Sequence, residues 1–360
     1  MRLTLPSCTA APDVVNRGAW PGGKRHHAKQ PMLRARGVMT RAMRDFFLVR
    51  GFEEVETAVL QISPGAETHI RGFATDLITP SGARSRLHLH ASPEFACKTL
   101  IAAGETAIFT LAHVFRNAER GPLHHPEFTM LEWYRAGAPY RALMEDCADL
   151  VRCCALAASA RALAYRDRRC DPFATVERLS VAEAFARYAA IDLAAALEDR
   201  DRLAHEAAVH GLRVSHDDSW SDLFSKIMTA CIEPRLGLGG LTILDAYPLS
   251  EAALAQAQPD DPRWAERFEL YACGVELANA FGELTNAAEQ RRRFEAQQAD
   301  QLRIYGEAAP LDEDFLAALA SMPPTSGIAL GFDRLVMLAT GAARIDDVLW
   351  TPVFDPEAGC

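Results

Sequence analysis

Apolar residues recur at helical spacing near the beginning of the chain and then give way to extended patterns. Met39, Met43 and Phe47 fall on one face of a predicted helix, and Gly51 follows it as a helix-terminating glycine does. Residues 52–60 then have the composition of a strand. The pattern therefore predicts a long helix that leads into an extended segment.

A short helix and two strands are predicted next. Ser92 is the predicted N-cap of the helix, and Pro93 is its first residue. Strands over 108–116 and 128–134 flank a loop, 117–127, that contains two prolines. We therefore expect the second strand to return along the first.

A mostly helical, alanine-rich stretch, 140–238, follows these strands. Its clearest amphipathic stripe ends at Pro234 and is more typical of a core-facing helix than of a cofactor site. The stripe consists of Trp220, Leu223, Phe224, Ile227, Met228 and Cys231. Strand and helix signals return in the last third of the chain, over 242–247, 267–281, 290–303 and 334–338.

The composition limits the class of protein. With 360 residues, 49% of them hydrophobic, the chain can form one large α/β domain or two small ones. Residues 1–31 are rich in proline, glycine and basic side chains and lack the apolar core of a signal peptide. No apolar run approaches the roughly 20 residues of a membrane span. We expect a flexible arm over 1–31, one domain over 32–360 with a mostly helical insertion at about 140–238, and no membrane partner.

Cysteine usage and charge narrow the class further. The nine cysteines form no C-x-x-C pair, which favours reduced thiols in a cytoplasmic protein over a zinc site or a disulfide framework. The net charge of −10 argues against broad contacts with nucleic-acid phosphates. Nucleic acid is therefore not the expected main partner.

A hairpin near residue 270 places two carboxylates together. If the turn lies at 273–274, Tyr271 pairs with Glu276, and Glu269 pairs with Ala278. Glu269 and Glu276 then share a face as diagonal neighbours, about 7–8 Å apart at Cα. Such a pair suits a hard cation, with magnesium on a nucleotide as the usual one. The alternative is that both are solvated residues on an exposed strand.

Strand parity adds one structural condition to this hairpin. Glu276 and Asn279 are an odd number of residues apart, so a regular strand directs their side chains to opposite faces. They can face one pocket only if a β-bulge lies near Ala278.

The returning strand 128–134 carries its own set of candidate binding residues. Period-two geometry places Phe128, Met130, Glu132 and Tyr134 on one face. Phe128 could stack on a purine, while Glu132 and Tyr134 point along the cleft at an ammonium group. Packing of Phe128 into the core is the competing interpretation.

Charged residues near other strand ends complete the candidate chemistry. Arg116 and Arg334 each lie at the edge of an apolar run and are suited to fork-like binding of phosphate oxygens. Glu94 lies in the first turn of a helix, where a carboxylate is stabilising for electrostatic reasons alone. His88 and His90 alternate on a strand, but no third metal ligand lies near them.

These segments resemble a known family. Residues 53–57 are similar to motif 1 of class II aminoacyl-tRNA synthetases, 115–117 to motif 2 and 331–334 to motif 3. Further similarity to the lysyl-tRNA synthetase catalytic domain in particular lies in 92–94, 124–134 and 276–284. The resemblance runs from about residue 32 to 338. It implies an α/β (α+β) fold with a six-stranded antiparallel sheet flanked by helices, and a homodimer interface built by motif 1.

The resemblance also implies roles for individual residues. Arg116 and Arg334 are the implied catalytic residues, and Phe128 and Arg334 would sandwich adenine. The implied cofactors are ATP and Mg²⁺, with Glu269 and Glu276 as the metal ligands. The implied ATP-binding set is Arg116, Asn117, Ala118, His124, His125 (through its backbone), Phe128, Glu269, Leu270, Gly331 and Arg334. The implied amino-acid pocket is Ser92, Pro93, Glu94, Glu132, Tyr134, Glu276, Ala278, Asn279 and Glu283.

The part of the chain before motif 1 points to a subfamily. Lysyl-tRNA synthetases normally begin with an anticodon-binding domain, whereas only the short arm precedes motif 1 here. A truncated synthetase of this kind resembles the elongation factor P lysyl-ligase family. That family adenylates a lysine isomer, here expected to be (R)-β-lysine, and transfers it to a lysine of elongation factor P. Ala278, where lysyl-tRNA synthetases usually carry glycine, agrees with β-lysine as the substrate.

Three alternatives stay open. A minimal lysyl-tRNA synthetase-like enzyme would charge tRNA through the acceptor stem alone. A catalytically weakened regulatory or binding paralogue is supported by Ala118, which replaces the motif 2 glutamate, although Glu119 is adjacent. An ammonia-using asparagine synthetase of the same fold should direct an arginine, not carboxylates, at the substrate side chain.

Overall fold

The computed structural model describes residues 23–65 and 67–355. The helices in these residues are α1 (Gly23–Leu48), α2 (Glu94–Ala102), α3 (Tyr140–Ala157), α4 (Val181–Ala189), α5 (Arg200–Val209), α6 (Trp220–Ile227), α7 (Ala287–Tyr305), α8 (Glu313–Leu319) and α9 (Phe332–Thr340). None of the helices in the described residues combines the length and the apolar character that crossing a membrane requires.

The strands form one large sheet and two small ones. In chain order they are β1 (Glu53–Glu54), β2 (Leu60–Gln61), β3 (Phe73–Ile78), β4 (Arg84–Leu89), β5 (Ala107–Phe115), β6 (Glu127–Ala136), β7 (Leu163–Tyr165), β8 (Arg168–Asp171), β9 (Glu177–Ser180), β10 (Gly239–Gly240), β11 (Thr242–Asp245), β12 (Arg267–Ala272), β13 (Val275–Gly282) and β14 (Thr325–Gly331). Strands β7, β8 and β10 make one small sheet, and β2, β3 and β4 make the other.

The large sheet confirms the expected architecture and extends it. Its order in the described residues is β1-β5-β6-β14-β13-β12-β11-β9. The six central strands pair antiparallel throughout, as predicted; in spatial order they are β5, β6, β14, β13, β12 and β11. Short strands β1 and β9 join the two edges in parallel, so the complete sheet is mixed.

The two faces of this sheet have different chemistry because successive side chains alternate between them. On one face, Leu131, Trp133, Leu270 and Leu330 belong to the main hydrophobic core with residues of α1, α3 and α9. The opposite face presents the alternate residues of the same strands, several of which are charged. The cleft described below lies on that second face.

Helix α1 corrects the predicted boundary of the N-terminal arm. It begins at Gly23, so residues 23–31, assigned to the arm, are helical, and Pro31 lies inside the helix. Proline has no amide hydrogen, so Pro31 removes one hydrogen bond from the helix, but tertiary contacts before and after Pro31 hold the helix in place. Lys29 Nζ donates to the Leu349 carbonyl (3.4 Å). The rest of the predicted arm, 1–22, lies outside the described residues.

The C-terminal half of α1 is anchored by an aromatic cluster. Met39, Met43 and Phe47 are fully buried, as their spacing predicted. The Phe47 ring lies 4.8 Å from Phe109 and 5.2 Å from Trp133, measured between ring centroids. Aromatic pairs at these distances add to the free energy of burial, so α1 is fixed against strands β5 and β6.

Two local predictions are wrong in detail. Residues 52–60 do not form one strand, because only 53–54 and 60–61 find pairing partners, and these lie in different sheets. The N-cap of α2 is Pro93 rather than Ser92. The Ser92 hydroxyl still accepts from the Glu94 amide (3.1 Å), so its capping contact is kept one residue further out.

The insertion at 140–238 is less helical than predicted. It contains α3 to α6, but also β7, β8 and β9, which are too short to give a clear alternating pattern. The predicted amphipathic stripe is largely buried in its own cluster, where Phe224 stacks on Phe185 (5.2 Å) and Trp220 (5.3 Å). The insertion therefore has a separate small core, attached to the large sheet through β9.

Candidate active site

The described residues enclose a cleft of about 300 Å³ on the charged face of the large sheet. Its walls come from the ends of β6, β12, β13 and β14, the start of α2, and the loops at 64–70 and 116–125. The structure brings together in this cleft most of the residues implied by the resemblance, namely Ser92, Glu94, Arg116, His124, His125, Phe128, Glu269, Glu276, Asn279, Gly331 and Arg334.

The two arginines lie at one end of the cleft with different neighbours. Arg334 donates to the Glu276 carbonyl (3.0 Å) and contacts His124 Nε2 (2.9 Å), which must be unprotonated to accept. The Arg116 guanidinium lies over the Phe128 ring, 5.3 Å from its centroid. The structure thus places Arg116 against one side of the Phe128 ring, and the sandwich of adenine between Phe128 and Arg334 stays a prediction. A guanidinium group on an aromatic ring, with a second guanidinium group in the same cleft, suits a nucleotide with its phosphates.

The motif 3 arginine is positioned by its neighbour Asp333. The Asp333 carboxylate is buried, accepts from the Thr129 amide (2.7 Å) and pairs with Arg36 of α1. Arg36 also donates to the Thr129 hydroxyl (2.7 Å). Sequence reasoning missed Arg36, because nothing local to α1 indicates a partner almost 300 residues away.

The motif 2 loop turns at Ala118, which has a left-handed backbone conformation (φ 61°). Asn117 holds this turn: its side-chain oxygen accepts from the Ala118 amide (2.9 Å), and its own amide donates to the Arg71 carbonyl (2.7 Å). Neither Asn117 nor Ala118 lines the cleft within the described residues, whereas Glu119 does. Glu119 therefore takes the cleft-facing position that the resemblance assigned to residue 118.

His125 is buried and faces away from the cleft through its ring. The ring pairs with the Glu127 carbonyl through Nδ1 and accepts from the Val353 amide through Nε2 (3.1 Å). Because both ring nitrogens are engaged, contact with a ligand is left to the backbone, as the resemblance implies.

The predicted hairpin is present, with a bulge. Cys273 and Gly274 form the turn, both with positive φ, and Tyr271 pairs with Glu276. Leu270 then pairs with Ala278, so Leu277 is an extra residue in β13. The bulge predicted near Ala278 is thus confirmed, and it turns Glu276 and Asn279 to the same side, where both line the cleft.

The bulge also corrects one predicted pairing. Glu269 lies opposite Asn279 rather than Ala278, because the extra residue shifts the register by one. Ala278 and Leu270 consequently point into the main core on the other face of the sheet. Their side chains cannot border a ligand in the cleft, which corrects the expectation for Ala278. On the neighbouring strand β14, Ala329 does line the cleft, opposite Asn279.

The two strand carboxylates differ in how far they are already engaged. Glu269 accepts from Tyr247, Tyr271 and Arg267, each at 2.6 Å. Glu276 has a side chain that is 40% exposed and only a 3.5 Å contact from Arg334 to its carboxylate. The two carboxylates are therefore not equivalent candidate metal ligands.

Magnesium fits this arrangement in a limited way. The described residues contain no group of three or more His, Cys, Asp or Glu side chains placed to hold a metal ion. Mg²⁺ commonly binds one or two carboxylates together with substrate phosphates and water. Glu276 offers one accessible carboxylate of this kind, and Glu269 is better suited to orienting its neighbours than to direct coordination.

A cluster of buried carboxylates lies beneath the cleft floor. Glu132 is fully buried and accepts from the Ser92 hydroxyl (2.5 Å) and the Tyr134 hydroxyl (2.7 Å). Glu283 directly follows strand β13 and is also buried. Gly327 permits this packing, because a Cβ there would lie 2.2 Å from Glu283 and 2.4 Å from the Tyr134 ring. The predicted ammonium-binding residues are thus assembled, one layer below the cleft surface.

Sequence reasoning missed the internal cation of this cluster. Lys98 is fully buried and pairs with Glu94 (2.5 Å) and Glu283 (2.6 Å). Burial alone would lower the pKa of the Lys98 ammonium, but Glu283 and Glu94 outweigh burial and raise it. The i,i+4 spacing of Glu94 and Lys98 was the available signal.

Three carboxylates and one lysine leave the cluster with excess negative charge, which protons can balance. Burial, reinforced by Glu94, raises the pKa of Glu132 to about 7. Burial also raises the pKa of Glu283 to about 8, with Lys98 opposing. An ammonium group bound beside these carboxylates would favour the loss of these protons.

The fold and cleft together define a class of protein. Residues 23–354 match the family described as tRNA synthetases class II (D, K and N). The chain therefore belongs to this family.

Several curated proteins that are similar to this chain are named elongation factor P–(R)-β-lysine ligase. The Vibrio cholerae serotype O1 protein is 38% identical over 324 residues, which cover 89% of this chain and 94% of the relative. The Haemophilus influenzae (strain PittGG) protein is 38% identical over 89% of this chain and 96% of the relative. The Proteus mirabilis protein is 39% identical over 87% of this chain and 92% of the relative. The chain is thus similar to these ligases over nearly their whole length.

The placement of Glu119 generates a first prediction. Glu119→Ala should raise the KM for ATP in pyrophosphate exchange about tenfold, or ~1.4 kcal/mol, because it removes a hydrogen-bond acceptor for the amino or hydroxyl groups of the nucleoside. In the same background, A118E should not restore the KM, since residue 118 points out of the cleft. Full rescue by A118E would show that residue 118 is the one facing the nucleotide.

The raised pKa values generate a second prediction. A substrate ammonium prefers ionised carboxylates, so affinity for lysine or β-lysine should rise as the pH increases from 6 to 8.5, through the pKa values of Glu132 and Glu283. Calorimetry in two buffers with different ionisation enthalpies should detect proton release on binding near pH 7. Glu132→Gln should bind more weakly and release fewer protons. An affinity of the unmodified protein for lysine or β-lysine that does not change with pH would contradict this account of the pocket.

Proposed function

We propose that the protein is an ATP-dependent, AMP-forming ligase that adenylates a lysine isomer and transfers it to a lysine side chain of elongation factor P. The observation that carries the proposal is one cleft lined both by two arginines suited to phosphates and by Ser92 and Glu94, which contact the buried carboxylate cluster. The names of the relatives support the choice of (R)-β-lysine and of the acceptor.

Adenylation takes place at the arginine end of the cleft. A carboxylate oxygen of the amino acid attacks the α-phosphorus of ATP, and pyrophosphate leaves with the bonding electron pair. Arg116 and Arg334 stabilise the negative charge that develops on the phosphoryl oxygens. Magnesium, when bound to the phosphates, supplies further neutralisation of this charge, and Glu276 is the residue that would hold it.

Substrate choice takes place at the carboxylate end. Ser92 and Tyr134 orient the Glu132 carboxylate, and Lys98 orients those of Glu94 and Glu283. A neutral side chain of the same length leaves these buried charges without a partner, which is costly. Lysine isomers are therefore preferred over norleucine.

Several properties of the assembly extend the proposal. The protein acts as a homodimer in the cytoplasm, with motif 1 and α1 at the interface. Elongation factor P and a lysine isomer are its partners, and no membrane is involved. The buried negative cluster argues against the asparagine synthetase alternative, and the position of Glu119 weakens the case for an inactive paralogue.

Acceptor choice provides a third prediction. With ATP, magnesium and radiolabelled β-lysine, label should accumulate on elongation factor P and only poorly on tRNA, because the net charge of −10 opposes broad phosphate contacts. Replacing the acceptor lysine of elongation factor P by arginine should abolish labelling. Label on tRNA with none on the protein, under matched conditions, would support the tRNA-charging alternative instead.

The position of Ala329 provides a fourth prediction. Ala329→Gly removes a methyl group from the cleft wall beside Asn279 and should shift the ratio of pyrophosphate exchange rates for α-lysine and β-lysine severalfold. Ala278→Gly is the matched control, because its methyl group lies in the core. It should lower stability by about 1 kcal/mol without changing the ratio. A larger change of ratio in Ala278→Gly than in Ala329→Gly would reverse the two assignments.

A further inference from the structure

A second cavity adjoins the cleft. It has a volume of about 620 Å³, twice that of the cleft, and opens between the start of α6, the turn at 249–254 and the exposed side of α7. The two cavities share a wall that consists of Glu67, Leu254, Arg267, Asn279 and Phe281. The second cavity therefore reaches the amino-acid side of the cleft, where Asn279 lies, and not the end that holds Arg116 and Arg334.

The reaction requires such an opening. ATP and the amino acid occupy the smaller cavity, whereas the acceptor is a side chain of a large protein and must approach the adenylate from outside. The acceptor nitrogen has to reach the carbonyl carbon of the bound amino acid. Because the wall at Asn279 and Phe281 is common to both cavities, the second cavity gives access at this place.

The lining of the second cavity combines apolar residues with charged and hydroxyl side chains, and the arrangement of these charges favours a cationic peptide segment. Arginines in this lining are already paired with carboxylates. Arg292 and Arg293 both pair with Glu289 (2.7 and 2.8 Å), and Arg303 pairs with Asp300 (2.9 Å). These pairs leave little free positive charge to repel an ammonium group. Hydroxyl groups suited to backbone contacts come from Thr68 and Ser225.

Carboxylates lie where an entering lysine would pass. Glu67 lines both cavities, and its side chain has no hydrogen bond or ion pair with the residues described in this structure. Glu251 accepts from the Ser221 hydroxyl (2.8 Å), and burial raises the pKa of its carboxyl. Burial also raises the pKa of the Glu67 carboxyl, with Arg116 opposing. An ammonium group moving inward would favour the ionised form first of Glu251 and then of Glu67 at the junction.

We propose that the second cavity is the docking groove for the lysine-bearing segment of the acceptor protein. This inference rests on the proposed function and deepens it, by assigning the acceptor to the groove between α6 and α7. In the transfer step the acceptor nitrogen, as a free amine, forms a bond to the carbonyl carbon. The carbon–oxygen bond to the phosphate breaks, AMP leaves with the electron pair, and the proton from nitrogen passes to solvent in the groove.

Two alanines of α7 form a matched pair for the test. Ala296 is exposed and lines the groove, whereas Ala299 is exposed on the same helix but lies outside the lining. Ala296→Trp should lower transfer of β-lysine to elongation factor P at least tenfold relative to pyrophosphate exchange. Ala299→Trp should leave both rates unchanged. Ser225→Trp, from the facing helix α6, should act like Ala296→Trp and covers the case in which Ala296→Trp does not fold.

A small acceptor separates the groove from the chemistry. Hydroxylamine needs no docking surface, so trapping of the adenylate as the hydroxamate should fall far less than protein transfer in both groove variants. Normal transfer by folded Ala296→Trp and Ser225→Trp would overturn the docking site while leaving the proposed function intact. Adenylation without any transfer to elongation factor P by the unmodified protein would instead overturn the proposed function, and the groove assignment with it.

Discussion

The alternation of side chains across the central antiparallel sheet is the constraint on which this structure depends. One face of each central strand is apolar and packs on α1, α3 and α9, and the other face carries charge. A regular ladder would turn Asn279 away from Glu276. The single extra residue, Leu277, turns both to the cleft and leaves Ala278 in the core. A one-residue irregularity thus decides which side chains a substrate can meet.

The charged face has a cost that the protein offsets internally. Buried carboxylates are tolerated only when they are paired or hydrogen-bonded. Lys98 pairs with Glu94 and Glu283, while two hydroxyl groups serve Glu132. Removing one partner of such a buried pair costs about 3–5 kcal/mol, so the residues proposed to select the substrate also contribute to the stability of the fold.

Distant elements hold the nucleotide end in place. Arg36 of α1 reaches the motif 3 carboxylate Asp333, which in turn receives the amide of Thr129 at the start of β6. The arginine next to Asp333 is therefore tied to the helix that motif 1 follows.

The sequence by itself determined the order of motifs, the hairpin turn and the need for a bulge, because these depend on local spacing and period-two patterns. The six antiparallel strands were implied by the family resemblance that the motifs carry. Only the tertiary structure decided that Lys98 neutralises the pocket, that Glu119 rather than Ala118 faces the cleft, and that Ala329 rather than Ala278 borders it. Each of these depends on register or on pairing between distant segments. A shift of one residue reverses the face of a side chain, and no local pattern reports such a shift.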